Sequence, residues 1–252
     1  GEVGCLHQRQ GLVPHRCCVR FQVTYMFKIK RKTMKINKYI MGLLMSLPFV
    51  SSCDNHIYED ASWHSWMPGM VYCSNGEIMS YENCVSKGNT PEAVLFFVDK
   101  EGVFSGKAYA VALNDYPDKE FIDPDTTYFA QGTSADIMQF DGENNTVKLR
   151  YFQVQSPIAK SVSPKFFIPS VAEMYKLYVS KDVINSTIEK CGGMPLPFDK
   201  NECWYWTSTE CDGAETDRAW RYSLSSGRFE MADKHSSYAT RPIISIKLNK
   251  EE

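Results

Sequence analysis

The sequence predicts an α+β fold built of antiparallel strands with a few short helices. Three observations carry this. Apolar residues recur at every second position in several short runs, an S-x-x-E helix start stands in the second half of the chain, and Gly-, Asn- and Ser-rich turns separate the runs. With 252 residues, a net charge of −2 and 43% hydrophobic residues, the chain is long enough and apolar enough for one domain with a sizeable core.

The N-terminal part reads as processing signal rather than fold. Residues 1–33 have the character of a leader or a mis-set translation start, so Cys5, Cys17, Cys18, His7 and His15 are set aside as chemistry. Met34 opens MKINKYIMGLLMSLPFVSSC, with Lys35 and Lys38 before an apolar run from Ile40 to Val50. That run is shorter than the about 20 residues a spanning helix needs, and Pro48 argues against a core helix. Residues 34–52 therefore read as a signal peptide. Val50-Ser51-Ser52-Cys53 resembles the lipobox of bacterial lipoproteins, which implies lipid attachment at Cys53 and a lipid-anchored protein of the bacterial cell envelope, at the outer membrane. Residues 53–68 read as a tether and 69–252 as the domain. Removing the basic leader leaves a more acidic chain, which excludes nucleic acid as the expected partner.

The cysteines after Cys53 are Cys73, Cys84, Cys191, Cys203 and Cys211, an odd number. In an exported protein this predicts at least one disulfide and one leftover thiol, with Cys73 and Cys84 a local pair and Cys191, Cys203 and Cys211 able to supply another.

Along the domain, Val94–Val98 is a short apolar run bounded by Asp99-Lys100-Glu101-Gly102. From Lys107 to Leu113, Tyr109, Val111 and Leu113 alternate with alanines, so the two runs predict neighbouring strands. Asn114 to Asp125 reads as an acidic loop, Asp141 to Asn145 as a polar turn, and Lys148 to Val154 as a weaker strand. Ser170 with Glu173 makes a capping box, and Val171, Met174 and Tyr178 recur at helical spacing. A second short helix is expected from about Lys181 to Lys190, stopped by Gly192-Gly193. Trp220, Tyr222 and Leu224 share one strand face, Ser225–Arg228 turns, Phe229 and Met231 resume the alternation, and Ile244, Ile246 and Leu248 close the fold.

The stretch WYWTSTE, Trp204–Glu210, carries the sharpest expectation. Alternation turns Trp204, Trp206, Trp220 and Tyr222 inward and Tyr205 and Arg221 outward. Thr207 to Arg218 has no apolar period and reads as a surface loop, where binding commonly sits.

These segments together resemble a known family. Ile168-Pro169-Ser170-x-x-Glu173-Met174, then Tyr205-Trp206-Thr207-Ser208-Thr209-Glu210, Ala219-Trp220, a Gly227 turn and Arg241-Pro242-Ile243 follow in order. So do the upstream VLFFVDKEGVFSGKAYAVAL and DGENNT. The order is similar to the bacterial C-type-lectin-like domains of the Lcl C-terminal and Fibrobacter succinogenes major paralogous type, over about Gly69 to Leu248. Phe166-Phe167-Ile168-Pro169 replaces the family's W-R-L-P, and the helix that normally follows D-G-x-x-N-T reads as shortened or missing. The resemblance implies a compact mixed fold whose loops near the C-terminus form a ligand surface.

Calcium would need six or more converging oxygen ligands, and the sugar-lectin signatures E-P-N, Q-P-D and W-N-D are absent. Asp115, Asp118, Asp123 and Asp125 read as a solvated loop, so no metal is expected. C-x-x-C and H-E-x-x-H zinc spacings are missing from the mature chain, as are the G-x-S-x-G elbow and a Gly-rich phosphate loop; no cofactor is expected. The expected function is non-enzymatic binding of a glycan or protein ligand through Tyr205, Glu210, Asp217, Arg218, Arg221, His235 and Tyr238. The alternatives are an enzyme of the formylglycine-generating type using Cys203 and Cys211, which shares the wider fold, and a structural component of a surface filament.

Overall fold

The computed structural model describes residues 63–198 and 201–248. The leader, the signal peptide, Cys53 and the first part of the tether lie outside the described residues. No helix among the described residues is long and apolar enough to cross a membrane.

The fold is α+β, with two five-stranded sheets and four α-helices among the described residues. After a 3-10 turn at Trp63–Ser65, the first sheet starts with β1 (Val71–Cys73), β2 (Ile78–Met79) and the short helix α1 (Tyr81–Ser86). The apolar run and the alternating run then form β3 (Pro91–Val98) and β4 (Lys107–Ala112), paired antiparallel as expected. The turn between them closes on Asp99, whose carboxylate accepts N–H bonds from Val103, Phe104, Ser105 and Gly106 at 2.7–3.0 Å. The final strand β10 (Ile243–Lys247) returns to pair with β4, giving the order β10-β4-β3-β1-β2.

The second sheet contains β5 (Tyr116–Glu120), β6 (Trp204–Glu210), β7 (Arg218–Ser223), β8 (Phe229–Asp233) and β9 (Ser237–Thr240), in the order β5-β9-β6-β7-β8. β6 and β7, and β7 and β8, pair antiparallel, while β9 runs parallel to β6. The β7–β8 turn requires its glycine: Gly227 has φ 75°, and a Cβ there would stand 2.6 Å from the Tyr178 ring.

The acidic loop at 114–125 contains an edge strand, β5. Pro117 is tolerated there because an edge strand leaves one row of N–H groups unpaired.

Two helical expectations change. The polar turn and weak strand at 141–154 are replaced by α2 (Gly142–Tyr151), which also restores a helix to the segment that resembled D-G-x-x-N-T. Its buried face is mostly polar and leaves no apolar period to read. Asn145 Oδ1 accepts from Ser134 N at 2.8 Å, and Thr146 Oγ1 accepts from Ile168 N at 2.9 Å. After the short α3 (Pro157–Ser161), one continuous 20-residue helix, α4 (Val171–Lys190), replaces the two expected ones. The capping box at Ser170 and Glu173 is formed, and nothing between Tyr178 and Lys181 breaks a helix.

The main core lies between the two sheets and α4. Val94, Phe96, Tyr109 and Val111 face Met174, Leu177, Ile184 and Ile188, together with Tyr205, Tyr222 and Leu224 from the second sheet. A second core covers the other face of the second sheet, where Trp206 and Ala219 meet Phe121, Ile122, Leu149 of α2 and Ile158 of α3. Strand β6 is therefore buried on both faces.

That double burial overturns part of the expected inside–outside assignment, although Trp206 and Tyr222 are buried as expected. Tyr205 is not outward: it pairs across from Tyr222 and is 6% exposed. Arg221 pairs across from Trp206, so the two share a face, while Trp204 is only half-buried. Thr207, Ser208, Thr209 and Glu210 are completely buried strand residues rather than surface loop, so the loop shortens to 211–217. Such a polar strand tolerates burial because its side chains, Ser208 Oγ excepted, find partners. Thr207 Oγ1 donates to Trp220 O at 2.7 Å, and Thr209 Oγ1 accepts from Val171 N at 3.3 Å.

The described cysteines are free thiols, and the expected disulfide is not formed in this structure. Cys73 and Cys84 are nonetheless in contact, with their Sγ atoms 2.6 Å apart.

Candidate functional site

The expected ligand residues do not converge on one place. Tyr205 belongs to a structural network: its hydroxyl donates to Asp115 Oδ2 at 2.9 Å, and Asp115 Oδ1 accepts from the buried Arg241 at 2.7 Å. Arg241 also donates to the carbonyls of Ala112, Leu113 and Met194. Burial, then Asp115, holds the Tyr205 phenol well above its ordinary range.

Glu210 is likewise not a solvent-facing ligand. Its carboxylate, fully buried, forms an ion pair with the equally buried Lys234. It also accepts from Gln131 N at 2.7 Å, Thr133 N at 2.9 Å and Thr133 Oγ1 at 3.0 Å. Lys234 spends its remaining donors on Phe129 O at 3.0 Å and Glu215 O at 2.6 Å. Burial pulls the Lys234 ammonium below the usual lysine range, and Glu210 pulls it back. The pair thus ties the 128–140 loop and the 211–217 loop to the end of β6.

Arg221 and Tyr238 do come together. The Arg221 guanidinium lies over the Trp204 ring at 4.3 Å and the Tyr238 ring at 4.8 Å, donates to the Tyr238 hydroxyl, and pairs with Glu230 at 2.5 Å. Its charge is thereby engaged within the protein.

Asp217, Arg218 and His235 form a third group, at the open end of β7 and the turn between β8 and β9. Asp217 and Arg218 make an exposed ion pair at 3.3 Å, and Arg218 pairs in register with Asp233. His235 stacks on Tyr128 at 4.1 Å, with a ring nitrogen 3.2 Å from Thr126 O. Asp233 accepts from the Tyr128 hydroxyl at 2.8 Å and from His235 N at 2.9 Å. Burial works to raise the Asp233 carboxyl, but these two bonds hold it below the usual range.

The two loops held by Glu210 and Lys234 border a cleft of about 460 Å³, lined by Ala135, Asp136 and Ile137 on one side, Asp212 on the other, and Trp220. Trp220 packs against the main core, as expected, but is only half-buried; it lies edge-on to Phe229 at 5.4 Å, and its indole Nε1 is buried without a hydrogen-bond partner. Asp136 and Asp212 are exposed, and Asp136 Oδ1 accepts from Met138 N at 2.9 Å, which fixes its loop. An indole beside two carboxylates suits a ligand that offers an apolar face together with hydroxyl or amine donors. The cross-strand register was the missing signal: once Tyr205 pairs with Tyr222, Trp220 must fall at the loop end of the same face.

Among the described residues there is no group of three or more His, Cys, Asp and Glu able to hold a metal ion. Burial pushes the Cys211 thiol up to about 12, and Cys203 is half-buried against the main core. No protein-family model matches the chain, and a search of curated proteins finds no significant relative.

Proposed function

We propose that this is a lipid-anchored binding protein with a C-type-lectin-like domain, which takes a glycan or protein ligand in the cleft over Trp220. The observation that carries the reading is the cleft itself: an indole with an unpartnered N–H, two exposed carboxylates, and two loops hung on one buried ion pair. Binding loops on a rigid anchor keep their geometry without a ligand, which lowers the ordering cost of association. The order of motifs and the mixed two-sheet fold support the family. The protonated, buried Cys211 does not resemble an activated nucleophile, which favours binding over catalysis by Cys203 and Cys211. Of the expected contacts, Asp217, Arg218 and His235 remain as rim residues, whereas Tyr205 and Glu210 support the fold.

The test screens the full chain against a glycan array and by pull-down from envelope extracts, then measures the ligand found on variants. Asp136→Asn and Asp212→Asn are expected to weaken it by about tenfold or more, with an unchanged melting temperature. Unchanged affinity in both would place the site elsewhere. The anchor is read separately: a fatty-acid analogue should label the wild type and leave Cys53→Ala unlabelled.

A further inference from the structure

Three sulfurs gather in one pocket at the β1 edge of the first sheet. Cys73 ends β1, where the register against β3 shifts, and Cys84 lies on the buried side of α1. Both are fully buried and in contact, and Cys191, the C-terminal cap of α4, packs against them. The backbone around the first two is pinned from both ends. Cys73 N donates to Glu77 O at 2.9 Å, the Ser80 hydroxyl caps α1 through Asn83 N at 3.2 Å, and Asn89 N donates to Cys84 O at 2.9 Å. Cys203 packs at the main core and Cys211 follows β6, and neither belongs to this pocket.

We propose that Cys73 and Cys84 close a disulfide and that Cys191 stays beside it as a thiol. The two bridged sulfurs sit on neighbouring elements of one local hairpin–helix unit, whereas Cys191 arrives from the far end of α4 and is only partly buried. In the reaction two S–H bonds break and one S–S bond forms. The two protons and two electrons pass to a disulfide oxidant such as oxidised glutathione, whose own S–S bond breaks and which leaves as two thiols. In the folded dithiol, burial and Cys84 push Cys73 up to about 12, and burial pushes Cys191 up to about 11. Both sulfurs of the pair are fully buried and thiolate is scarce, so the bond forms more readily while the chain folds than after it, and the raised Cys191 thiol is a slow partner for exchange.

Only the supply of oxidant in the cell rests on the exported, lipid-anchored reading, which the Cys53 labelling tests by itself. The disulfide is tested in vitro by refolding the full reduced chain in oxidised glutathione, alkylating, digesting without reductant and mapping the peptides. A Cys73–Cys84 peptide is expected, with Cys191, Cys203 and Cys211 alkylated, and Cys191→Ala should give the same link. Oxidant added to the already folded dithiol should act about tenfold more slowly or worse. A link to Cys191, or five alkylated cysteines after oxidative refolding, would overturn the proposal. Equal rates for folding and folded protein would overturn the closed pocket on which it stands.

Discussion

Two loops of this molecule each hang on a single carboxylate, yet they solve the burial of that charge differently. The 99–106 turn closes on Asp99, which is 4% exposed and takes four backbone N–H bonds from residues at most seven positions away. The 128–140 loop closes on Glu210, fully buried, whose backbone donors are 79 and 77 residues distant and whose charge is matched by Lys234. A local nest of N–H dipoles is enough to solvate a carboxylate near the surface. At a junction of three chain segments two N–H groups do not suffice, and a cation is required. The first device is a property of a turn; the second is a property of the tertiary fold.

The largest effect should come from unmatching the buried pair. Lys234→Met leaves Glu210 charged and unpaired, at an expected cost of about 3–5 kcal/mol in urea unfolding. Adding Glu210→Gln to Lys234→Met removes the stranded charge while keeping an acceptor for the loop, and should recover part of that loss. If the double variant is no more stable than the single one, the cation is not what the site needs.

A smaller effect is expected at the other loop. Asp99→Asn should cost about 1–3 kcal/mol, because an amide oxygen replaces a charged acceptor. Amide exchange should then accelerate at Val103 to Gly106 and not at Gln131 or Thr133; acceleration at both loops would erase the distinction.

The smallest effect is on acid stability. Burial tends to raise the Asp99 carboxyl, but the N–H bonds from Ser105, Gly106, Phe104 and Val103 outweigh it and hold it below the usual range. Its stabilisation is thus fully present above the unfolded value of about 3.9 and is lost as pH falls through the depressed folded value. The stability gap between wild type and Asp99→Asn should narrow only below about pH 4, and a gap that closes near neutrality would contradict the assignment.

What could be read from residues alone follows the same division between local and tertiary causes. The β3–β4 hairpin, the Ser170 capping box, the Gly227 turn and the closing strand are encoded by neighbours in sequence, and all of them formed. The segment 142–151 was misread because its helix buries Asn145 and Thr146, whose partners Ser134 and Ile168 lie on other elements. Strand β6 was misread because alternation tells inside from outside only where one face meets water, and here both faces meet a core. Glu210 reads from sequence as a loop carboxylate, but its role depends on Lys234, which no local pattern singles out. The cleft was visible only as Asp212 in a charged loop. Trp220 could be placed there only with the β6–β7 register in hand.

The position of the last two strands sets the order in which this chain can become a protein. β9 is the link between β5 and β6, and β10 covers the outer edge of β4, so both sheets wait for residues 237–247. Strand β4 is finished long before its partner β10 is made. Contacts of such long sequence separation slow folding, because the chain must be closed into a large loop before they form. A nascent chain stopped before Ser237 would carry two open sheets with exposed edges. It should remain pliable until residues 237–247 are made, so that deleting them unfolds the whole domain rather than trimming it.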